Sequence, residues 1–151
     1  IEGLISLPIK MLTIHASGGE HMMQSAMQAV KGTNIKIFGV TALTSLTDQD
    51  ANKIFQRGTS DQVEAMLDLA QASGIHGVVC SPQELGLVTK RKSLLSITPG
   101  IRLEDSDDDQ KRVMTPKEAI KLGADYLVIG RPITSSDDVK KKLNEIYSSI
   151  K

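Results

Sequence analysis

The sequence predicts an α/β protein built on a parallel sheet, and three observations carry that prediction. Five short aliphatic runs alternate with longer stretches of helical periodicity along the 151 residues. Helix caps and glycine or proline breakers separate most of them. Aromatic residues make up only 3% of the chain and Trp is absent, so the core must be aliphatic, as in strands buried on both faces.

The elements follow in order. KMLTIH (10–15) reads as a strand, broken by Ala16-Ser17-Gly18-Gly19. A Met-rich helix is expected from about Glu20 to Lys31, then a second strand in IKIFGVT (35–41). Thr47 or Asp48 is placed to cap the next helix. Residues 60–73 put Val63, Met66, Leu67 and Ala70 on one helical face, and Gly74 closes that helix. GVVC (77–80) is a short buried strand, and Ser81-Pro82 starts a helix with cap and proline in their favoured places. LLSIT (94–98) is the fourth strand, closed by Pro99-Gly100, and a polar loop runs from Ile101 to about Met114. Thr115-Pro116-Lys117-Glu118 is a capping box, and Gly123 ends its short helix. DYLVIG (125–130) is the fifth strand, and a last helix after Ser136 aligns Val139, Leu143, Ile146 and Ile150. Ile1, Leu4 and Ile5 stand at helical spacing, as at the end of an amphipathic helix.

Composition narrows the function classes. Lys plus Arg and Asp plus Glu both number 18, so the formal charge is zero. That argues against broad adhesion to nucleic acid or an anionic membrane, while leaving room for a local anion site. No run of about 18 apolar residues offers a membrane span, and no basic-then-apolar leader pattern is seen. The single cysteine, Cys80, allows no disulfide within the chain, which suits a reducing cytoplasm.

Five βα units fit two architectures: an open doubly wound sheet, which this length would complete, or five-eighths of a (β/α)₈ barrel. Composition alone favours the first. In both, ligands gather at the carboxyl ends of the strands. The candidates by that rule are His15 and Ser17, Thr41 to Ser45, Cys80 and Ser81, Arg102, and Gly130 with Arg131. Gly130-Arg131-Pro132 is the sharpest of these. The glycine admits a ligand close to the backbone, the arginine offers a planar fork of donors, and hydroxyls at Thr134, Ser135 or Ser136 would cap the next helix. Arg102 in TPGIR (98–102) sits at the preceding strand end, where two arginines can converge on one dianion.

The plain readings stand beside these. The plainer reading of Arg131 is a surface arginine in a βα turn, that of Arg102 a solvent salt bridge to the acidic run 104–109, and that of Thr44 or Ser45 a helix cap. His15 reads as a satisfied core-edge histidine and Cys80 as an inert buried thiol. EDSDDD (104–109) reads as a solvated loop, because consecutive acids point in several directions. The histidines show no metal-ligand spacing. No P-loop, dinucleotide fingerprint, GxSxG or CxxC occurs.

Six segments occur in order: HASGG (15–19), VTALTS (40–45), GVVCSPQE (77–84), TPGIR (98–102), DQKRVMTPKEAI (109–120) and ADYLVIGRPIT (124–134). In this combination, across essentially the whole chain, the sequence resembles the bacterial-type orotidine 5′-phosphate decarboxylases. GRPI alone is shared loosely with other phosphate-binding barrels; TPGIR followed by DQKRVMTP and GADYLVIGRPIT is far more specific. The resemblance implies a (β/α)₈ barrel, with residues 1–151 as a single partial-barrel domain supplying strands four to eight. It implies conversion of orotidine monophosphate to UMP and CO₂ in pyrimidine biosynthesis, without a cofactor or metal, in a cytoplasmic homodimer whose partner molecule is a small nucleotide. By matched motif position, Thr44, Arg102, Gln110, Gly130 and Arg131 become substrate-binding residues, with the 101–114 segment as a lid.

The family's catalytic Lys/Asp array comes from early strands, chiefly an Asp-x-Lys-x-x-Asp run. Asp109-Gln110-Lys111 begins such a run, but Met114 stands where the second Asp belongs, and Asp138-Val139-Lys140 fails likewise. No catalytic residue is therefore carried over, and the 151 residues alone are expected to be inactive. The alternatives are a related sugar-phosphate decarboxylase or aldolase-like barrel, and a non-catalytic phosphate-binding fragment. A receiver-type doubly wound domain ranks last, for want of an acidic pocket after the first strand.

Overall fold

A computed structural model describes residues 1–103 and 113–151. Five strands form one parallel sheet: β1 (Met11–His15), β2 (Lys36–Val40), β3 (Gly77–Val79), β4 (Leu95–Thr98) and β5 (Tyr126–Leu127), hydrogen-bonded in chain order. Helix α1 (Glu20–Ala29) follows β1, and α2 (Asp48–Phe55) with α3 (Thr59–Ala72) follows β2. Then α4 (Leu85–Val88) follows β3, α5 (Pro116–Lys121) follows β4, and α6 (Arg131–Thr134) with α7 (Val139–Ser149) follows β5.

The strand order decides between the two architectures. A doubly wound sheet reverses its order at a switch point, with helices on both faces. Here the order never reverses, and right-handed crossovers between successive parallel strands then place every helix on the same face. The other face is concave. Phe38 on β2 and Tyr126 on β5 meet edge-on with ring centroids 6.2 Å apart, although β3 and β4 lie between them. The fold is an arc of a (β/α)₈ barrel, and the open doubly wound sheet favoured by composition is set aside.

The core between sheet and helices follows from periodicity. Val63, Met66, Leu67 and Ala70 of α3 are all buried, alongside Met23 and Ala26 of α1 and Ile37 and Val78 of the sheet. Arg91 ties α4 to α3: its Nε and Nη2 donate to Asp68 Oδ1 at 3.1 and 2.6 Å, and its Nη1 donates to Leu87 O at 3.0 Å.

Three helix starts follow the capping logic. Thr47, Ser81 and Thr115 each accept a backbone N–H with the side chain, while Asp50, Glu84 and Glu118 reach back to the cap. The Thr115 hydroxyl and amide, both donating to Glu118, hold that carboxyl below the usual carboxylate range. Gly74 and Gly123 have φ of 69° and 94°, the left-handed conformation that closes α3 and α5.

Some boundaries differ from expectation. The fifth strand spans only Tyr126–Leu127 rather than 125–130. Its template ends at Thr98, since Pro99 has no N–H to extend the ladder; Val128 N still donates to Thr98 O at 2.9 Å. The helix after Ser81 is a 3₁₀ turn, Pro82–Glu84, leading into α4. The last helix, expected after Ser136, begins at Val139 and is capped by Asp138, whose Oδ1 accepts Lys141 N at 2.9 Å. Residues Glu2–Leu4 form a single 3₁₀ turn.

Candidate phosphate-binding site at the strand carboxyl ends

The described candidates all lie at or past carboxyl ends of strands, because each βα loop leaves the sheet on that side. Thr44 sits in the tight turn after β2, closed by Leu46 N donating to Leu43 O at 3.0 Å. Buried Thr41 anchors this loop to the next strand: its backbone N and its Oγ1 donate to Val79 O at 3.1 and 2.9 Å. Cys80 is buried at the end of β3, donating its N–H to Ile97 O at 3.1 Å. His15, expected at the edge of the core, is exposed at the end of β1.

Arg102 leaves β4 through a turn that needs its glycine, for Gly100 has φ of 78°. Its side chain is buried, with Nη1 donating to Ile101 O at 2.9 Å. Its backbone is fixed as well. Arg102 N donates to Met114 O at 3.0 Å and Met114 N to Gly100 O at 3.2 Å, so an isolated parallel bridge stitches the two flanks of the polar loop. Gln110 and the greater part of the expected lid lie outside the described residues.

Gly130 and Arg131 follow β5, the hydrogen-bonded neighbour of β4. A Cβ added at Gly130 would meet nothing within 4 Å, so packing does not demand the glycine there. Arg131 is exposed and opens α6, with Gly130 as its N-cap and Pro132 in the first turn. The hydroxyls expected to cap the next helix do not do so. Thr134 Oγ1 leans back on Gly130 O at 3.4 Å, and Ser136 Oγ accepts Asp138 N at 3.3 Å. Pro132 is the reason: its fixed φ and missing N–H suit a first turn, so the helix begins at Arg131. Both arginines have further interactions within the protein.

Sequence reasoning missed the brace beneath this pair. Asp125 Oδ2 accepts from Ser96 N at 2.8 Å and Ser96 Oγ at 3.1 Å, while Asp125 N donates back to Ser96 Oγ at 2.9 Å. The only signal was a serine inside an aliphatic strand. Thr98, at the end of β4, keeps a buried hydroxyl with no hydrogen-bond partner.

A separate cleft of about 700 Å³ lies between the starts of α2 and α3 and helix α4, lined by Thr47, Asp48, Thr59, Gln83, Glu84 and Lys90 among others. With two carboxylates and one lysine it does not suit an anion, and neither arginine lines it. Among the described residues, no group of His, Cys, Asp or Glu could hold a metal, and no helix is long and apolar enough to cross a membrane.

An arc of parallel strands with its polar groups at the carboxyl ends defines an enzyme-type α/β barrel. The chain belongs to the Orotidine 5′-phosphate decarboxylase / HUMPS family, whose profile matches residues 1–146. It is 44% identical over 153 residues to the orotidine 5′-phosphate decarboxylase of Wolbachia pipientis subsp. Culex pipiens, covering 99% of this chain and 68% of that protein. It is 49% identical to the enzyme of that name from Ehrlichia canis, covering 96% of this chain and 65% of that one. Among solved structures, orotidine 5′-phosphate decarboxylase from Lactobacillus acidophilus superposes with a TM-score of 0.81 at 32% identity, covering 99% of this chain and 66% of that one. An uncharacterized conserved protein from Geobacillus kaustophilus gives the same TM-score at 28% identity. The chain spans about two thirds of the length of these relatives.

Proposed function

We propose that this chain carries the nucleotide-holding part of an orotidine 5′-phosphate decarboxylase, the carboxy-lyase that forms UMP and CO₂ in pyrimidine biosynthesis. One observation carries the reading: Arg102 and Gly130-Arg131 occupy the carboxyl ends of hydrogen-bonded neighbours β4 and β5. A phosphate dianion set there would receive donors from both loops. The planar guanidinium forks match its oxygens, and the open space over Gly130 lets the ligand reach the backbone. Thr44, two strands away, and Gln110 on the loop stitched at Arg102 would complete the grip on the nucleotide. Binding energy from the non-reacting phosphate then serves to close the loop over the reacting base.

Decarboxylation leaves a carbanion on the pyrimidine ring, which needs a nearby ammonium for protonation. The Asp-x-Lys-x-x-Asp run that supplies it in the family is not among these 151 residues, so the chain alone binds nucleotide and does not turn it over. The whole enzyme is a cytoplasmic homodimer in this reading, with a small nucleotide as its substrate and no cofactor.

Calorimetric titration with UMP and with ribulose 5-phosphate tests the assignment. Preference for UMP supports it. Tighter binding of the pentulose phosphate transfers the chain to the sugar-phosphate alternative, and CO₂ release from orotidine monophosphate by this chain would refute the placement of catalysis outside it.

A further inference from the structure

The cleft of about 700 Å³ lies between the second and third βα units, with β1 and α1 to one side and β4 and β5 to the other. One wall is the first turn of α3, a helix of 14 residues whose N-cap, Gly58, brings no side chain to the free amides. Asp48 Oδ1 accepts the Thr59 N–H at 3.1 Å, and among the described residues the next amide, that of Ser60, has no acceptor. Thr59 also lines the cleft. It is only 6% exposed, and its hydroxyl has no hydrogen-bond partner. Buried hydroxyls in folded proteins are nearly always paired, so this one points to a partner that enters the cleft.

The charges around the cleft define the kind of molecule. Asp48 and Glu84 both line it, and each carboxylate already accepts a backbone N–H, Glu84 Oε2 from Ser81 N at 3.0 Å. An anion would be repelled by both. A cation would be repelled by the Lys90 ammonium and by the positive end of α3. An uncharged molecule meets neither penalty. The groups that can bond it are the Thr59 hydroxyl, the Ser60 amide and the Gln83 side-chain amide, which makes no hydrogen bond among the described residues. Alcohol groups suit this mixture, since each both donates and accepts, and Leu46 and Leu87 supply apolar surface for the carbons that carry them. The volume is within the ~300–1,000 Å³ of small-molecule sites.

We propose that this cleft binds an uncharged polyol of monosaccharide size, whose hydroxyls bond Thr59 Oγ1, the Ser60 N–H and the Gln83 amide. Neither Arg102 nor Arg131 lines the cleft, so the site stands or falls independently of the nucleotide reading.

The test is an ¹⁵N-resolved titration of the chain with three sugars of one skeleton and different charge: D-glucose, the anion D-gluconate and the cation D-glucosamine. Glucose should shift the amides of Ser60, Gly86 and Lys90 saturably and leave those of Arg102 and Arg131 in place, and the two charged sugars should bind more weakly. Thr59→Val keeps the shape of the side chain and removes only the unpartnered hydroxyl. Its urea midpoint should be no lower than the parent's, while glucose affinity falls roughly fivefold, the scale of one neutral hydrogen bond. Gln83→Ala, at an exposed side chain, should weaken glucose by a similar factor. No saturable shift at the cleft amides, equal binding of gluconate or glucosamine, or glucose affinity indifferent to both variants would each overturn the proposal. So would a destabilised Thr59→Val chain, which would mean that the hydroxyl is already satisfied within the fold.

Discussion

The rings of Phe38 and Tyr126 meet edge-on at 89° with centroids 6.2 Å apart, across a sheet in which three ladders separate their strands. In a flat sheet, three spacings would hold the two side chains about 14 Å apart. The contact therefore measures the curvature of the sheet, and edge-to-face geometry is the arrangement that ring quadrupoles favour. Gly77 makes room for it: a Cβ there would come within 2.6 Å of Phe38 Cε1 and overlap the carbonyl oxygen of Leu95.

Gly77→Ala is accordingly a test of the curvature. The backbone of β4 cannot move aside without breaking its ladder, so the variant should lose roughly 1–3 kcal/mol of stability, the range for overpacking a filled site. Urea unfolding followed by circular dichroism measures it. A variant as stable as the parent would mean that Phe38 does not lie over β3.

The brace between Ser96 and Asp125 holds the two halves of the proposed anion site in register, because β5 itself is only two residues long. Ser96→Ala leaves the Asp125 N–H without its acceptor and removes one donor from the carboxylate. The expected cost is about 1–3 kcal/mol of stability. UMP affinity should fall with it, though Ser96 lies at the far end of β4 from Arg102. Calorimetry on the folded variant reads the second effect.

His76 gives the fold a pH dependence of known sign. Its Nδ1 accepts the Ile37 N–H at 3.0 Å, which requires that nitrogen to be unprotonated. Burial, with the nearby Lys36 ammonium adding to it, lowers its pKa from the ordinary 6.5. A histidine whose folded pKa lies below its unfolded one contributes stability fully above the unfolded value, and that contribution is lost as pH falls towards the folded one. The urea midpoint should therefore drop between neutral pH and about pH 5. His76→Asn, whose amide oxygen can take the same N–H, should lack this histidine-linked part of the drop. An equal drop in both proteins would remove His76 as its source.

Gly130→Ala separates fold from function. Nothing lies within 4 Å of the added Cβ, so the melting temperature should be unchanged. UMP binding should weaken by at least tenfold, since the methyl group occupies the ground on which the phosphate approaches the backbone. Thermal unfolding paired with calorimetry checks both halves.

Much of the architecture was legible because its signals are local. The cap residues Thr47, Ser81 and Thr115, the glycines at 74 and 123, and the buried face of α3 each depend on neighbours within a few residues. What depends on distant partners was not legible from pattern. The curvature that distinguishes a barrel arc from an open sheet resides in pairs such as Phe38 with Tyr126, and only the ordered motifs pointed to it. The shortness of β5 depends on Pro99 in the neighbouring strand, and the start of α6 on Pro132 displacing three plausible hydroxyl caps. Ser96 and Asp125 are each unremarkable in sequence; their pairing across 29 positions is what braces the site.

The central claim is that the loops after β4 and β5 hold the phosphate of a nucleotide. An ¹⁵N-resolved titration of this chain with UMP, with uridine as the control, tests it most directly. The account predicts that UMP shifts the amides of Arg102, Gly130 and Arg131, that uridine does not, and that Arg131→Ala costs roughly 2 kcal/mol or more of UMP affinity, the scale of a charge-assisted contact. Equal shifts with uridine, or undiminished UMP affinity in the Arg131→Ala chain, would contradict it.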